Sequence, residues 1–304
     1  MAQQNDNRRH LIVGGGKGNF SPPQGDAVSE CLIPTHPKAR RLFQLVEELG
    51  IPFGYERSFR VTRGMISPDR FLLSLSKSSL EEKPKPAAFE LFQSLCMPDV
   101  ALEKAKGELT SAGFVHLGFE AGASSCLYKV YLEYPLRIAT KEDRERRLLH
   151  TAFKWDADNS SHFVVSRYTY YPGLSLTEIT QRVSAIYGDS HQESLDIAMD
   201  IFHFADARTK TGGLRYLEVG EEGNARKSFD VNLYDAKLTL DDIQPFLLRM
   251  AAHYAVPSET LRSITETAQN RLLGHLAGGI HRGGEDFFNV YYGVEGRRGP
   301  KADS

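Results

Sequence analysis

The chain has 304 residues, 41% hydrophobic and 25% charged, with a formal net charge of -2, the composition of an ordinary soluble globular protein of one large domain or two small ones. That balance lacks the basic excess of a phosphate-backbone binder, so nucleic acid is not an expected partner. No stretch approaches the roughly 20 apolar residues of a membrane span, and the opening MAQQNDNRRHLIVGGGKGNF holds no apolar run of signal length; no membrane partner and a cytoplasmic location are expected.

Residues 1–35 read as a flexible arm. Its IVGGGKGNF segment resembles a dinucleotide loop, but Pro22 and Pro23 follow where such a loop needs a helix, and the glycine spacing misses both GxGxxG and the P-loop. Cys31, Cys96 and Cys126 are odd in number and widely spaced, without a CxxC pair, so they are expected to be reduced, mostly structural thiols rather than disulfides or zinc ligands.

Residues 36–49 place Leu42, Leu45, Val46 and Leu49 on one helical stripe, ended by Gly50. In 52–61, Tyr55, Arg57, Phe59 and Val61 alternate with Glu56, Ser58 and Arg60, which predicts a strand. Residues 68–110 read as short helices, with 88–95 and 100–109 the best formed. Two hairpins follow, 114–120 with 126–134 and 148–156 with 162–171. Next come two helices, the first with Ser175 or Thr177 as N-cap and the second over 193–207, and a third hairpin, 214–219 with 226–235. Two more helices are expected, one with an Asp-rich first turn at 241–242 and one over 258–276 capped by Ser258. GHLAGGIHRGGEDFF is read as a sharp glycine turn into a last strand, 286–294, before a disordered tail at 296–304. Residues 36–295 thus form one α/β barrel domain.

Antiparallel pairs alternating with helix pairs exclude a doubly wound parallel sheet. The strands share a pattern: Val130 and Leu132 oppose Lys129, Tyr131 and Glu133; Val115, Leu117 and Phe119 oppose His116 and Glu120; Phe229, Val231 and Leu233 oppose Ser228, Asp230, Asn232 and Tyr234; Phe288, Val290 and Tyr292 oppose Asn289 and Tyr291. On the second hairpin Arg167, Thr169 and Tyr171 share one face, and His150, Ala152 and Lys154 another. An open sheet would leave these tyrosines on bare surface. The expected fold is therefore α+β, an antiparallel β-barrel with a polar lumen, its apolar face packed under surrounding helices.

This order of elements resembles the α-β-β-α (ABBA) barrel of soluble aromatic prenyltransferases over roughly residues 40–295. KVY at Lys129–Tyr131 is similar to the Lys-x-Tyr strands that hold the isoprenoid diphosphate in that family, and YERSFR at Tyr55–Arg60 resembles its early strand, whose acidic residue lies beside the acceptor. The second hairpin departs from the family, with Arg-x-Thr-x-Tyr in place of Lys-x-Tyr. The resemblance implies transfer of a prenyl group from an allylic diphosphate to an aromatic acceptor, a small molecule or a peptide side chain. Lys129, Lys154, Arg167 and Lys227 are then diphosphate ligands, Lys227 only if its strand begins after it. Tyr131, Tyr171, Tyr234 and Tyr291, with Asn232 and Asn289, line the substrate site. The tyrosines, with Trp155 if it turns inward, shield the allyl cation. Glu56, Glu120 or Asp230 orients the acceptor and removes its proton. No DDxxD run is present, so no cofactor is required and magnesium assistance stays open without a carboxylate cage. The alternative is a non-catalytic barrel that binds an anionic or aromatic metabolite. A carboxylate facing the cations across the lumen separates the two, since binding needs only the cations.

Overall fold

In the computed structural model, described at residues 34–83, 86–122, 125–136, 144–159, 161–209 and 213–298, ten strands close on themselves. They are β1 (Pro52–Thr62), β2 (Met65–Ser76), β3 (Phe114–Ala121), β4 (Cys126–Glu133), β5 (Arg147–Asp156), β6 (Phe163–Tyr171), β7 (Arg215–Glu221), β8 (Asn224–Asn232), β9 (Leu273–Ile280) and β10 (Asp286–Arg298). Each pairs antiparallel with its sequence neighbour, and β1 pairs with β10, with Ser58 opposite Tyr291 and Arg60 opposite Asn289. A closed barrel leaves no sheet edge, and successive side chains alternate between lumen and exterior.

Helices cover the exterior. α1 (Pro37–Glu47), α2 (Lys77–Glu81), α3 (Ala87–Ser94) and α4 (Asp99–Leu109) pack on one side of the barrel, and α5 (Leu176–Tyr187), α6 (Gln192–Asp206), α7 (Gln244–His253) and α8 (Ser258–Thr265) on the other. The hydrophobic core is thus a shell between barrel and helices. Leu117, Val130 and Phe153 point out into the first half, and Phe229, Val231, Phe288 and Val290 into the second. No described helix is long and apolar enough to cross a membrane.

Several sequence expectations are corrected. Residues 68–76, read as the start of a run of short helices, belong to β2 (Met65–Ser76); Pro68 and Asp69 break the pattern near the β1–β2 turn, where Ser67 pairs across a bulge with Arg60. The final helix stops at Thr265 and its N-cap is Pro257, with Ser258 the first helical residue. Asp241 and Asp242 precede α7, which begins at Gln244; Asp242 instead accepts bonds from the Thr239 N–H and hydroxyl at 2.8 and 2.9 Å. Ser175 does cap α5, in a capping box with Glu178. β8 ends at Asn232, so Tyr234 lies in a following helical turn. β10 runs to Arg298, past the expected start of the tail; the glycine-rich segment at 12–20 and residues 299–304 lie outside the described residues.

The expected glycine turn is largely β9. A Cβ on Gly278 would come within 2.5 Å of the Tyr187 hydroxyl and 2.8 Å of Phe229 Cζ. Helix α5 and strand β8 press so closely on β9 that glycine is the residue that fits. Gly278→Ala is expected to destabilise the fold by roughly 1–3 kcal/mol through overpacking, measured by urea unfolding; unchanged stability would show that Tyr187 swings aside freely.

Candidate functional site

The register places the lumen side chains in layers along the barrel axis. Nearest the β1–β2, β3–β4 and β5–β6 turns lie Arg60 on β1, Arg70 on β2, Glu120 on β3, Lys129 on β4 and Lys154 on β5. Glu120 Oε1 pairs with Arg60 at 2.9 Å and with Arg70, while Oε2 pairs with Lys129. Burial alone would raise the Glu120 pKa, but Arg70, Lys129 and Arg60 outweigh it and hold the carboxylate well below its usual range. Lys129 is pushed down to about 7, chiefly by burial, with Glu120 opposing and Arg70, Lys154 and Arg60 adding to the shift. Four cations against one carboxylate leave this layer strongly positive.

Cavities of about 70 and about 150 Å3 open on the layer and share Arg60, Lys129, Lys154, Val219 and Ser228 in their walls. A larger hollow of about 670 Å3 lies outside the barrel, where Arg182 and Lys227 both pair with Glu218. There the two cations share one carboxylate and Arg282 is held by Glu221, so the hollow keeps some positive charge, but no tyrosine layer adjoins it among the described residues.

Below the cations Tyr131, Tyr168 and Tyr291 line the smaller cavity, with Asp230 and Asn289. The rings of Tyr131 and Tyr168 meet edge to face at 5.7 Å, and Lys154 Nζ lies 5.7 Å from the Tyr168 centroid. Asn289 Oδ1 accepts from Arg60 Nε at 2.8 Å, which ties the tyrosine layer to the cation layer.

The third layer is rich in acids and imidazoles. The Tyr234 hydroxyl, from the turn after β8, donates to Glu56. His275 Nδ1 lies 2.7 Å from Asp230 Oδ1, and its Nε2 is 3.3 Å from Asn232 Nδ2. Burial lifts the Glu56 pKa above its ordinary value, against the pull of His275 and Tyr234. For His275 burial acts downward, but Asp230 and Glu56 overcome it and raise the pKa. On the opposite wall, His116, Glu133 and His150 hold nitrogen and oxygen donors within 4.8 Å of one another, a set able to take a metal ion.

Glu56, Glu120, Lys129, Tyr131, Lys154, Asp230, Asn232, Asn289 and Tyr291 therefore face the lumen, and Tyr234 closes over its end. Arg167 and Tyr171 do not, and Lys227 stands on the outer-face register beside Glu218 while also lining the cavity of about 150 Å3. On β6 it is Ser166 and Tyr168, partners of Ala152 and His150, that point inward. Arg167 lies outside, held by Glu108 of α4 and Glu222 at 3.0 Å each. Tyr171 lies outside under Arg182 of α5, whose guanidinium is 4.0 Å from the ring centroid. Trp155 also turns outward, donating to the Leu95 carbonyl at 3.0 Å. The sequence reading missed Arg60, which alternation already put on the face of Glu56, and Tyr168 and His275. It also missed Arg70, hidden in the unrecognised strand β2. Cys96 and Cys126 are free thiols.

No protein-family profile matches the chain, and no curated protein does. Solved structures do match. The unliganded prenyltransferase PriB is 13% identical with a TM-score of 0.54, covering 82% of this chain and 83% of that one. PriB in a ternary complex with L-tryptophan and dimethylallyl thiolodiphosphate is 12% identical, with a TM-score of 0.52 and coverage of 82% of each chain. AnaPT from Neosartorya fischeri is 11% identical, with a TM-score of 0.50, over 82% of this chain and 80% of that one. The fold is that of the α-β-β-α prenyltransferase barrel.

Proposed function

We propose that the chain is an aromatic prenyltransferase, moving a prenyl group from an allylic diphosphate to an aromatic ring of a small molecule or peptide side chain. One observation carries the reading: along a single lumen, a cation layer, a tyrosine layer and a carboxylate layer follow in order. A non-catalytic binder of anions would need only the first. The matched PriB complex contains tryptophan and a dimethylallyl diphosphate analogue, which adds support.

In this reading Arg60, Arg70, Lys129 and Lys154 receive the diphosphate. The allylic C1–O bond breaks, its electron pair stays with the leaving diphosphate, and the cations take up that charge. Tyr131, Tyr168 and Tyr291 present ring faces to the allyl cation and keep water from it. A carbon of the acceptor ring supplies the electron pair for the new C–C bond. The ring proton then passes to a carboxylate and aromaticity returns. Glu56 suits that step, because burial makes it more basic. Glu120 does not, held as it is by three cations, and Asp230 is already engaged by His275.

Calorimetric titration with dimethylallyl and geranyl diphosphate, with and without magnesium, tests the first step; micromolar binding is expected, and no heat from either compound would overturn the reading. Because burial depresses Lys129 to about 7, its charge is present below that pH and lost above it. Affinity is accordingly expected to fall as pH rises from 6.5 to 8.5, by up to about 10-fold per unit, and the slope should flatten in Lys129→Arg, which stays charged. A rising affinity in wild type would contradict the assignment.

A further inference from the structure

We propose that His116, Glu133 and His150 form a binding site for a divalent transition-metal ion, Zn2+ by the chemistry of its donors. The three residues sit on adjacent strands, β3, β4 and β5, where Glu133 is the direct cross-strand partner of His150 and His116 is diagonal to Glu133. All project into the lumen, and they are 0, 7 and 2% exposed. Their donor atoms lie within 4.8 Å of one another.

His150 supplies the independent sign of a ligand. Both of its ring nitrogens are buried without a hydrogen-bond partner among the described residues, although the ring packs edge to face on His116 and Tyr168 at 5.8 and 5.7 Å. Buried polar groups are nearly always satisfied, and one that has no protein partner calls for an ion or a water. Here one of the two nitrogens lies within 4.8 Å of donor atoms of an imidazole and a carboxylate. His116 carries the support expected of a metal ligand: Nδ1 lies 2.8 Å from Ser74 Oγ, which can accept its proton once a metal ion replaces the proton joining Nε2 to Glu133 Oε2, also 2.8 Å apart.

Two imidazoles and one carboxylate match Zn2+ and its neighbours rather than Mg2+ or Ca2+, which take oxygen donors. Donors on a tetrahedral zinc stand about 3.3 Å apart, so no pair needs to close by more than about 1.5 Å. Three protein ligands leave a fourth position, and because every ligand side chain points inward it faces the lumen. The site is independent of the transferase reading, since it lies beyond the cation layer and uses none of its residues.

Tag-free full-length chain, stripped with chelator and loaded with Zn2+, is expected to retain one equivalent through gel filtration and to melt at a higher temperature than the stripped form. Co2+ in its place is expected to show the visible absorption of a four-coordinate site. His150→Phe, which fills the space, and Glu133→Gln, which keeps the shape, are expected to retain no metal; Ser74→Ala should weaken affinity about 10-fold. Wild type that retains no Zn2+, or variants that retain as much as wild type, would overturn the proposal. Should His150→Phe fail to fold, the comparison rests on Glu133→Gln and Ser74→Ala.

Discussion

Lys129→Met is expected to weaken binding of dimethylallyl diphosphate about 100-fold, or roughly 3 kcal/mol, in line with loss of one partner of a buried charged contact. The lysine lies at the centre of the cation layer, buried and lining both cavities. Methionine keeps most of its length and removes its charge. Glu120 remains paired to Arg60 and Arg70 in the variant, so no carboxylate is stranded and the layer keeps its shape. Arg167→Met is the matching control. Alternation in the sequence made Arg167 as good a ligand as Lys129, whereas in the fold it reaches Glu108 and Glu222 outside the barrel. Calorimetry on the two variants should therefore separate them, with Arg167→Met binding as wild type does. Equal affinities in both would place the diphosphate somewhere other than this layer.

Glu56→Gln should leave diphosphate affinity within about twofold and lower turnover by about 100- to 1,000-fold, the size of a general-base contribution. Glutamine can still accept the Tyr234 hydroxyl bond that closes the lumen, so the geometry survives while the proton acceptor is lost. The layered lumen is what makes this split expected. Glu56 lies two positions along β1 from Ser58 and four from Arg60, past the tyrosine layer from the cations. Product formation followed by mass spectrometry, once an acceptor is in hand, gives the rate. Full turnover in the variant would move the proton to the Asp230–His275 pair.

Alternation announced the lumen wherever a strand contrasts an aliphatic face with a polar one. β4 and β8 are of that kind, and Lys129, Tyr131, Asp230 and Asn232 were placed correctly from them. β6 offers no such contrast. Ser166, Tyr168 and Tyr170 are as polar as Arg167, Thr169 and Tyr171, because α4 supplies Glu108 and α5 supplies Arg182 to partner the outer face. The outer polarity is a tertiary effect that no single strand records. β2 and β9 were missed for two further reasons. Pro68 and Asp69 read locally as a break, yet they sit at a bulge between the Ser58–Arg70 and Arg60–Ser67 pairs, where the ladder tolerates them. The glycines of β9 read as a turn, yet Tyr187 and Phe229 fill the space that a side chain at Gly278 would take. The His116–Glu133–His150 set was invisible for a related reason: its members are separated by 17 positions or more and meet only through the pairing of three strands.

In the proposed transferase the diphosphate lies among Arg60, Arg70, Lys129 and Lys154, with its prenyl tail toward the tyrosines. A crystal structure of the full chain with dimethylallyl thiolodiphosphate tests it most directly. The expected result is phosphate oxygens within hydrogen-bond reach of Arg70 and Lys129, and the allyl carbons against Tyr131, Tyr168 and Tyr291. A ligand bound outside the barrel, for instance where Arg182 and Lys227 meet Glu218, or a lumen without it at saturating concentration, would contradict the account.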